Sequence, residues 1–212
     1  MKLNVTEYEG KTKEEALEKA LEDLSLEEKD ILYKTTEKKG KLFKAGSTIV
    51  TVATIKDIAN YLKEQLKELV ENMGIEVNIE ISIREEQINL KMYSDKNNIL
   101  IGKNGQTLTA MTTILKQMVF NEIGKYPYIL LDVENYKEKK ISNIERTAKR
   151  IAREVSKTKI DATMEDMNSY ERRIVHNVLT NYKHVTTISE GEEPNRHVII
   201  KYVESKEEKE EE

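Results

Sequence analysis

Cysteine and tryptophan are both missing from this chain of 212 residues, and phenylalanine occurs only twice. Without Cys there is no disulfide, no thiolate metal ligand and no thiol nucleophile, a composition that suits a reducing compartment. Hydrophobic residues make up 38% of the chain and aromatic ones 6%, so its cores must be aliphatic. No apolar run approaches the roughly 20 residues that span a bilayer, and the N-terminus lacks the apolar stretch of a secretory signal. The expectation is a soluble, cytoplasmic protein with no membrane insertion. Catalytic signatures are missing too. No P-loop spacing surrounds Gly102-Lys103, no His-Glu-x-x-His helix or Gly-x-Ser-x-Gly elbow occurs, and His176, His184 and His197 lack metal-ligand spacing. We therefore expect a protein that is not an enzyme and that needs no metal or cofactor.

What the chain does have is charge, and the charge is segregated. The net value is −4, but residues 1–55 carry −1, 56–135 carry −3, 136–203 carry +4 and the tail from Glu204 carries −4. Six of the seven arginines, Arg146, Arg150, Arg153, Arg172, Arg173 and Arg196, fall in the basic segment. Arg forks onto phosphate better than Lys does, although a run of charge is also what a solvated helix face looks like.

A chain of this length suits two or three modest domains. Residues 1–55 read as strand, helix, strand, strand: Leu17, Ala20, Leu21 and Leu24 mark a helix face after the N-cap Thr12, with Glu15 three residues on. Lys38-Lys39-Gly40-Lys41-Leu42-Phe43-Lys44-Ala45-Gly46 is a basic, Gly-punctuated turn. Residues 56–135 begin with Ile58, Leu62, Leu66, Leu69, Val70 and Met73 at helical spacing, closed by Gly74 as a left-handed cap. Ile75, Val77, Ile79, Ile81 and Ile83 then alternate with polar residues. After the turn Arg84-Glu85-Glu86, Ile88, Leu90 and Met92 alternate again, which predicts an antiparallel pair. Asp95 is placed to cap a short helix carrying Ile99, Leu100 and Ile101. A long helix follows, with Leu108, Met111, Leu115, Met118 and Val119 on one stripe. Gly124 and Pro127 break it, and Tyr128 to Val133 reads as a strand buried on both faces.

Between the short and long helices lies Gly102-Lys103-Asn104-Gly105. The two glycines permit positive φ and close approach of the main chain, Lys103 supplies a cation, and the first amides of the long helix face any anion at its positive end. Gln106 and Thr107 add neutral donors. Ile99 and Ile101 are the apolar neighbours, and some of the run Ile99 to Ile101 must also be core.

Residues 136–203 open with a helix from about Lys137 to Lys157, with Ile141, Ile144, Ala148, Ile151, Ala152 and Val155 inward and Arg146, Arg150 and Arg153 outward. Ile160, Ala162 and Met164 suggest a strand. Asn168 and Glu171 form a capping box for the next helix, whose apolar face is Ile174, Val175, Val178, Leu179 and Tyr182. Arg172, His176 and Lys183 are spaced by four and seven, which would put three cationic or titratable groups on one strip beside that face. Residues 204–212 form an acidic tail, expected to be disordered.

Helix, strand, strand, short helix, Gly-x-x-Gly, long helix, strand resembles the bacterial (type II) KH domain, whose loop clamps single-stranded RNA over roughly four nucleotides. Tyr170-Glu-Arg-Arg-Ile-Val-His176, together with Thr187-Ile-Ser-Glu-Gly-Glu-Glu-Pro-Asn-Arg196 and the strand that follows, resembles the Arg-x-x-x-His domain, written here R-three-H. The order of domains is similar to that of the Jag family, also called KhpB or EloR. The resemblance implies an α+β fold of three small domains, each a two- or three-stranded sheet packed on helices: a βαββ-like N-terminal module (1–55), a KH domain (56–135) and an R-three-H domain (136–203). It implies an RNA-binding protein, an RNA chaperone that pairs with a small single-KH partner and affects cell elongation and wall synthesis. Single-stranded DNA is a second candidate ligand and a homodimer a second candidate assembly. Carried over from the R-three-H family, the contacting pair is Arg172 and His176; together with the loop and the basic strip, the expected RNA-binding set is Ile99, Ile101, Gly102, Lys103, Asn104, Gly105, Gln106 and Thr107 in the loop, with Arg172, Arg173, His176, Lys183 and Arg196 in the third domain. Asn104 stands where the family often has a second basic residue, and Asp166 where Pro is common. The alternative is a protein-interaction scaffold in which the KH fold serves dimer or partner contacts.

Overall fold

The computed structural model describes residues 2–38 and 46–204. Most of the basic turn, from Lys39 to Ala45, and the acidic tail beyond Glu204 lie outside the described residues. The fold is α+β, with three three-stranded sheets, and the chain divides between Glu134 and Asn135 into two compact units.

The first unit opens with β1 (Thr6–Gly10), α1 (Lys13–Leu24), β2 (Ile31–Lys38) and β3 (Ser47–Thr54), an antiparallel sheet ordered β1-β3-β2. Thr12 Oγ1 accepts the Glu15 N–H at 3.3 Å, while the Glu15 carboxylate turns back one residue further, to the Lys11 N–H at 2.9 Å. Ala16 and Ala20 let α1 lie close on Ile31, Tyr33, Val50 and Val52, with Leu17, Leu21 and Leu24 packed at the margin.

Thr54 ends β3 and also caps α2 (Ile55–Asn72), its Oγ1 accepting the Asp57 N–H at 3.0 Å. Ile58, Leu62, Leu66 and Val70 are fully buried along α2, whereas Met73, beyond the last turn, is 43% exposed. Gly74 takes φ 73°, and the Ile75 N–H returns to the Val70 carbonyl at 3.3 Å, so the expected left-handed cap forms. β4 (Asn78–Arg84) and β5 (Gln87–Tyr93) pair antiparallel about Glu85-Glu86; β6 (Tyr128–Val133) joins β5 in parallel. Between them come α3 (Asn97–Ile101) and α4 (Gln106–Ile123), and the sheet order is β4-β5-β6.

Two expectations fail in this sheet. Strand β6 is buried on one face only: Leu131 and Val133 are inside, but Tyr128 is 72% and Leu130 38% exposed, because its sheet is covered by helices on one side, and the central strand β5 likewise buries only Ile88, Leu90 and Met92. Nor does Asp95 cap α3. The N-cap is Lys96, without a side-chain cap bond, and Ser94 Oγ takes the Lys96 N–H at 3.3 Å instead.

Two cations tie the first sheet to the C-terminal end of α4. Lys34 Nζ donates to the Glu122 carbonyl at 2.5 Å, at the negative end of α4. Lys125 Nζ lies 3.8 Å from the centre of the Tyr33 ring.

The second unit runs α5 (Tyr136–Thr158), β7 (Ala162–Asp166), α6 (Ser169–Leu179), β8 (Val185–Glu190) and β9 (His197–Tyr202), with an antiparallel sheet ordered β7-β9-β8. Ala148, Ala152 and Val155 of α5 meet Val175 and Leu179 of α6 over Met164, Val185, Val198 and Ile200. Ile160, expected to open the strand, precedes it and is 70% exposed. The Asn168–Glu171 capping box forms with both bonds at 3.0 Å. Glu171 is buried, and Lys140 of α5 neutralises it at 2.5 Å.

Candidate nucleic-acid interface

The loop between α3 and α4 is built from three residues in left-handed or glycine-only backbone. Gly102 has φ 72° and ψ 179°, Asn104 φ 54° and ψ 19°, and Gly105 φ 86° and ψ 14°. Gly102 closes α3, its N–H reaching the Asn98 carbonyl at 2.9 Å, and Lys103 to Gly105 make a single 3-10 turn. A Cβ at Gly102 would collide with the Thr107 side chain and stand 2.9 Å from the Thr107 nitrogen, so the loop folds back tightly on the first turn of α4. Gly105, the N-cap of α4, offers no side-chain acceptor. The leading amides of α4 therefore have no side-chain cap, and they lie at the positive end of a helix of 18 residues.

Around that turn Lys103, Asn104 and Gln106 are exposed and Thr107 is half-buried. The apolar run divides cleanly: Leu100 is fully buried, Ile101 is half-buried and Ile99 is 52% exposed. The eight loop residues expected at the interface thus lie within one stretch from Ile99 to Thr107, with a cation, two amide side chains and an apolar residue exposed. Asn97 Oδ1, at the head of α3, is buried without a hydrogen-bond partner among the described residues.

The other expected residues lie in the second unit, and the predicted strip of Arg172, His176 and Lys183 does not form. Helix α6 ends at Leu179, so Lys183 sits in the turn before β8, exposed but off the helix. Arg172 is only 7% exposed. Its Nη1 donates to the Met167 carbonyl and to Glu193 Oε1, both at 2.8 Å. The Met167 N–H in turn donates to the Arg196 carbonyl at 2.9 Å. Arg172 consequently pins the segment 193–196 at two points, through the Glu193 carboxylate and through Met167. Arg196 itself is half-buried, and its Nε has no hydrogen-bond partner among the described residues. Arg173, one residue along α6, is exposed.

His176 is half-buried against β8, with Nδ1 2.6 Å from Thr187 Oγ1 and Nε2 2.9 Å from Ser189 Oγ. Burial, and then the nearby Arg172 charge, lower its pKa below the ordinary histidine value. The imidazole is thereby held neutral, one nitrogen donating and the other accepting, with hydroxyls able to serve either way. Thr187 and Ser189 were not singled out from the sequence. Their two-residue spacing on a strand, which aims both hydroxyls at one face, was the signal available. Glu193 and the main chain of Met167 gave no such signal. Among the described residues no cluster of His, Asp and Glu is placed to hold a metal ion, and no helix is long and apolar enough to cross a membrane.

Comparison with known proteins reaches both units. Residues 59–129 match the family model described as the KH domain of KhpA/KhpB, and residues 142–202 match the R-three-H domain. The chain is 38% identical over 197 residues to the RNA-binding protein KhpB of Clostridium symbiosum, covering 90% of this chain and 88% of that protein. It is 29% identical over 199 residues to the RNA-binding protein KhpB of Bacillus subtilis, covering 91% and 96%. Against the protein of that name from Lactiplantibacillus plantarum, identity is 30% over 146 residues, covering 69% and 44%.

Proposed function

This chain belongs to the KhpB family, and from that premise we propose that it binds single-stranded RNA, with the Gly102–Gly105 loop as the backbone clamp. The observation that carries the proposal is the loop geometry: positive φ at Gly102, Asn104 and Gly105 bares an uncapped helix start beside an exposed Lys103. A phosphate there gains main-chain donors, a cation and the helix dipole together. Ile99, beside the clamp, gives an unstacked base an apolar surface, and Ile101 borders it. In the R-three-H domain Arg173 and Lys183 are the exposed cations that meet the strand, and His176 contributes as a neutral hydrogen-bonding group. Arg172 acts by positioning the segment that carries Arg196. The finer biology implied by the family resemblance, a cytoplasmic RNA chaperone that pairs with a small single-KH protein and influences cell elongation and wall synthesis, belongs to the same proposal.

The test is fluorescence anisotropy of a labelled, unstructured RNA titrated with wild type and with Lys103→Asp/Asn104→Asp, at two salt concentrations. Circular dichroism checks that the variant is folded. The proposal expects the folded variant to lose most of its affinity and the wild type to weaken with salt, at a log-log slope of about −0.7 per phosphate contacted. Equal binding by the two proteins would remove the clamp. A wild type that binds no RNA would leave the scaffold alternative, whose apolar contacts respond little to salt.

A further inference from the structure

Helix α5 presents a row of cations on its exposed face. At 100° per residue, Lys139, Arg146, Lys149, Arg150, Arg153 and Lys157 fall within an arc of about 100°, and no acidic residue lies inside it. Every one of the six is exposed. The row runs about 27 Å along the helix at 1.5 Å per residue. Ser142 and Asn143 are the neutral donors between the cations, both exposed. The orientation is fixed from the opposite side, where Ala148, Ala152 and Val155 are locked in the core of the second unit. Acids flank the row without neutralising it: Arg150 meets Glu154 at 3.1 Å, a fully solvated pair with both side chains 61% exposed, which contributes little and opens readily. Arg146 holds Asn143 Oδ1 at 2.8 Å, an aligned guanidinium rather than a neutralised one. Arg146, Lys149, Arg150 and Arg153, with Ser142 and Glu145, border a shallow depression of about 440 Å³.

Resting on the RNA-binding reading above, we propose that this face of α5 is a phosphodiester-tracking strip that holds the backbone of the bound RNA without reading its bases. Cations one turn apart on a helix are spaced about 6 Å along its axis, and the strip offers no aromatic ring on which a base could stack. Contacts of this kind supply affinity and salt dependence but no sequence preference.

The experiment uses the full chain and two labelled probes, a 20-nucleotide oligo(U) and a 20-unit abasic phosphodiester chain. Wild type is compared with Arg146→Gln/Arg150→Gln/Arg153→Gln, which keeps good helix formers on an exposed face. A charge-matched control is Lys11→Gln/Lys56→Gln/Lys67→Gln in the first unit, and Lys103→Asp/Asn104→Asp is the clamp variant. We expect the arginine variant to weaken on both probes and its log-log salt slope to shrink by about 2, since each lost phosphate contact is worth about 0.7. That corresponds to roughly 16-fold less salt sensitivity between 50 and 200 mM. The control should behave as wild type. If the arginine variant keeps the wild-type affinity and slope, or the control loses as much, the strip is overturned while the clamp can still stand. If the abasic chain binds and depends on the arginines while the clamp variant binds oligo(U) as well as wild type, the strip stands and the clamp falls. A wild type that binds neither probe overturns both.

Discussion

His176 shows how a side chain of the Arg-x-x-x-His motif can also be part of the fold. Its ring is gripped at both nitrogens by Thr187 and Ser189, in surroundings that disfavour its charged form. The folded state therefore binds this proton less readily than the unfolded chain. The stability due to neutral His176 is complete above the unfolded value near 6.5 and is lost as pH falls from there through the lower folded value. Thermal unfolding between pH 8 and 5 should show wild type losing stability on acidification more steeply than His176→Gln, and equal slopes would contradict this. Glu171 makes a second prediction. Glu171→Ala strips the Asn168 N–H of its acceptor and removes the buried carboxylate that Lys140 meets at 2.5 Å. The loss should be about 3 kcal/mol in denaturant unfolding, with Glu171→Gln milder because an amide oxygen can still accept from Asn168. Helical periodicity located Arg172 beside the apolar face but said nothing of its burial, which depends on Glu193 arriving from a segment 21 residues further along.

Among the elements, those whose pattern is local were legible. The alternation of β4 and β5, the cap at Gly74 and the capping box of α6 each depend on neighbours within a few residues, and each forms as its spacing predicts. Strand β6 was misjudged because a continuous apolar run looks the same whether its sheet is covered on one face or on both, and that cover is set by where the helices pack. Lys183 was misplaced for a related reason. Nothing in the apolar spacing that includes Tyr182 reveals that the helix stops at Leu179. The conformation of the loop between α3 and α4 was legible because glycines at both ends of a four-residue loop carry a backbone requirement that other residues meet poorly. Gly102 sits in a φ/ψ region open almost only to glycine, and a side chain there meets Thr107. Gly102→Ala should therefore cost about 1–3 kcal/mol of stability and reshape the loop enough to lower RNA affinity at temperatures where the protein is still folded. Calorimetry with anisotropy at 15 °C checks both, and an alanine variant with wild-type affinity would show that the tight fold of the loop is irrelevant to binding.

For the molecule as a whole, the positive charge and the glycine loop are divided between the units. Residues 1–134, which hold the Gly102–Gly105 loop, carry a net −4, whereas residues 136–203 carry +4. That the first two sheets share one unit could not be read from periodicity, since the contacts of β2 with the end of α4, Lys34 to Glu122 and Tyr33 to Lys125, link residues remote in sequence. A clamp in an acidic unit would attract a polyanion weakly and, as KH loops in general do, would hold only about four nucleotides. Contacts made by the basic unit to the same strand would then raise affinity through effective concentration, but only for strands long enough to engage both. A strand of 20 nucleotides offers roughly 17 registers to a window of about four, so a lone clamp gains at most about that factor over a tetranucleotide. The full chain should exceed it, binding oligo(U) of 20 nucleotides by well over 100-fold more tightly than the tetranucleotide at low salt, and the excess should fade as salt rises. Competition titrations with both lengths at 50 and 200 mM salt decide the matter. A ratio that stays near the register count at both concentrations would mean that the clamp binds alone and the positive charge of the second unit serves something other than this strand.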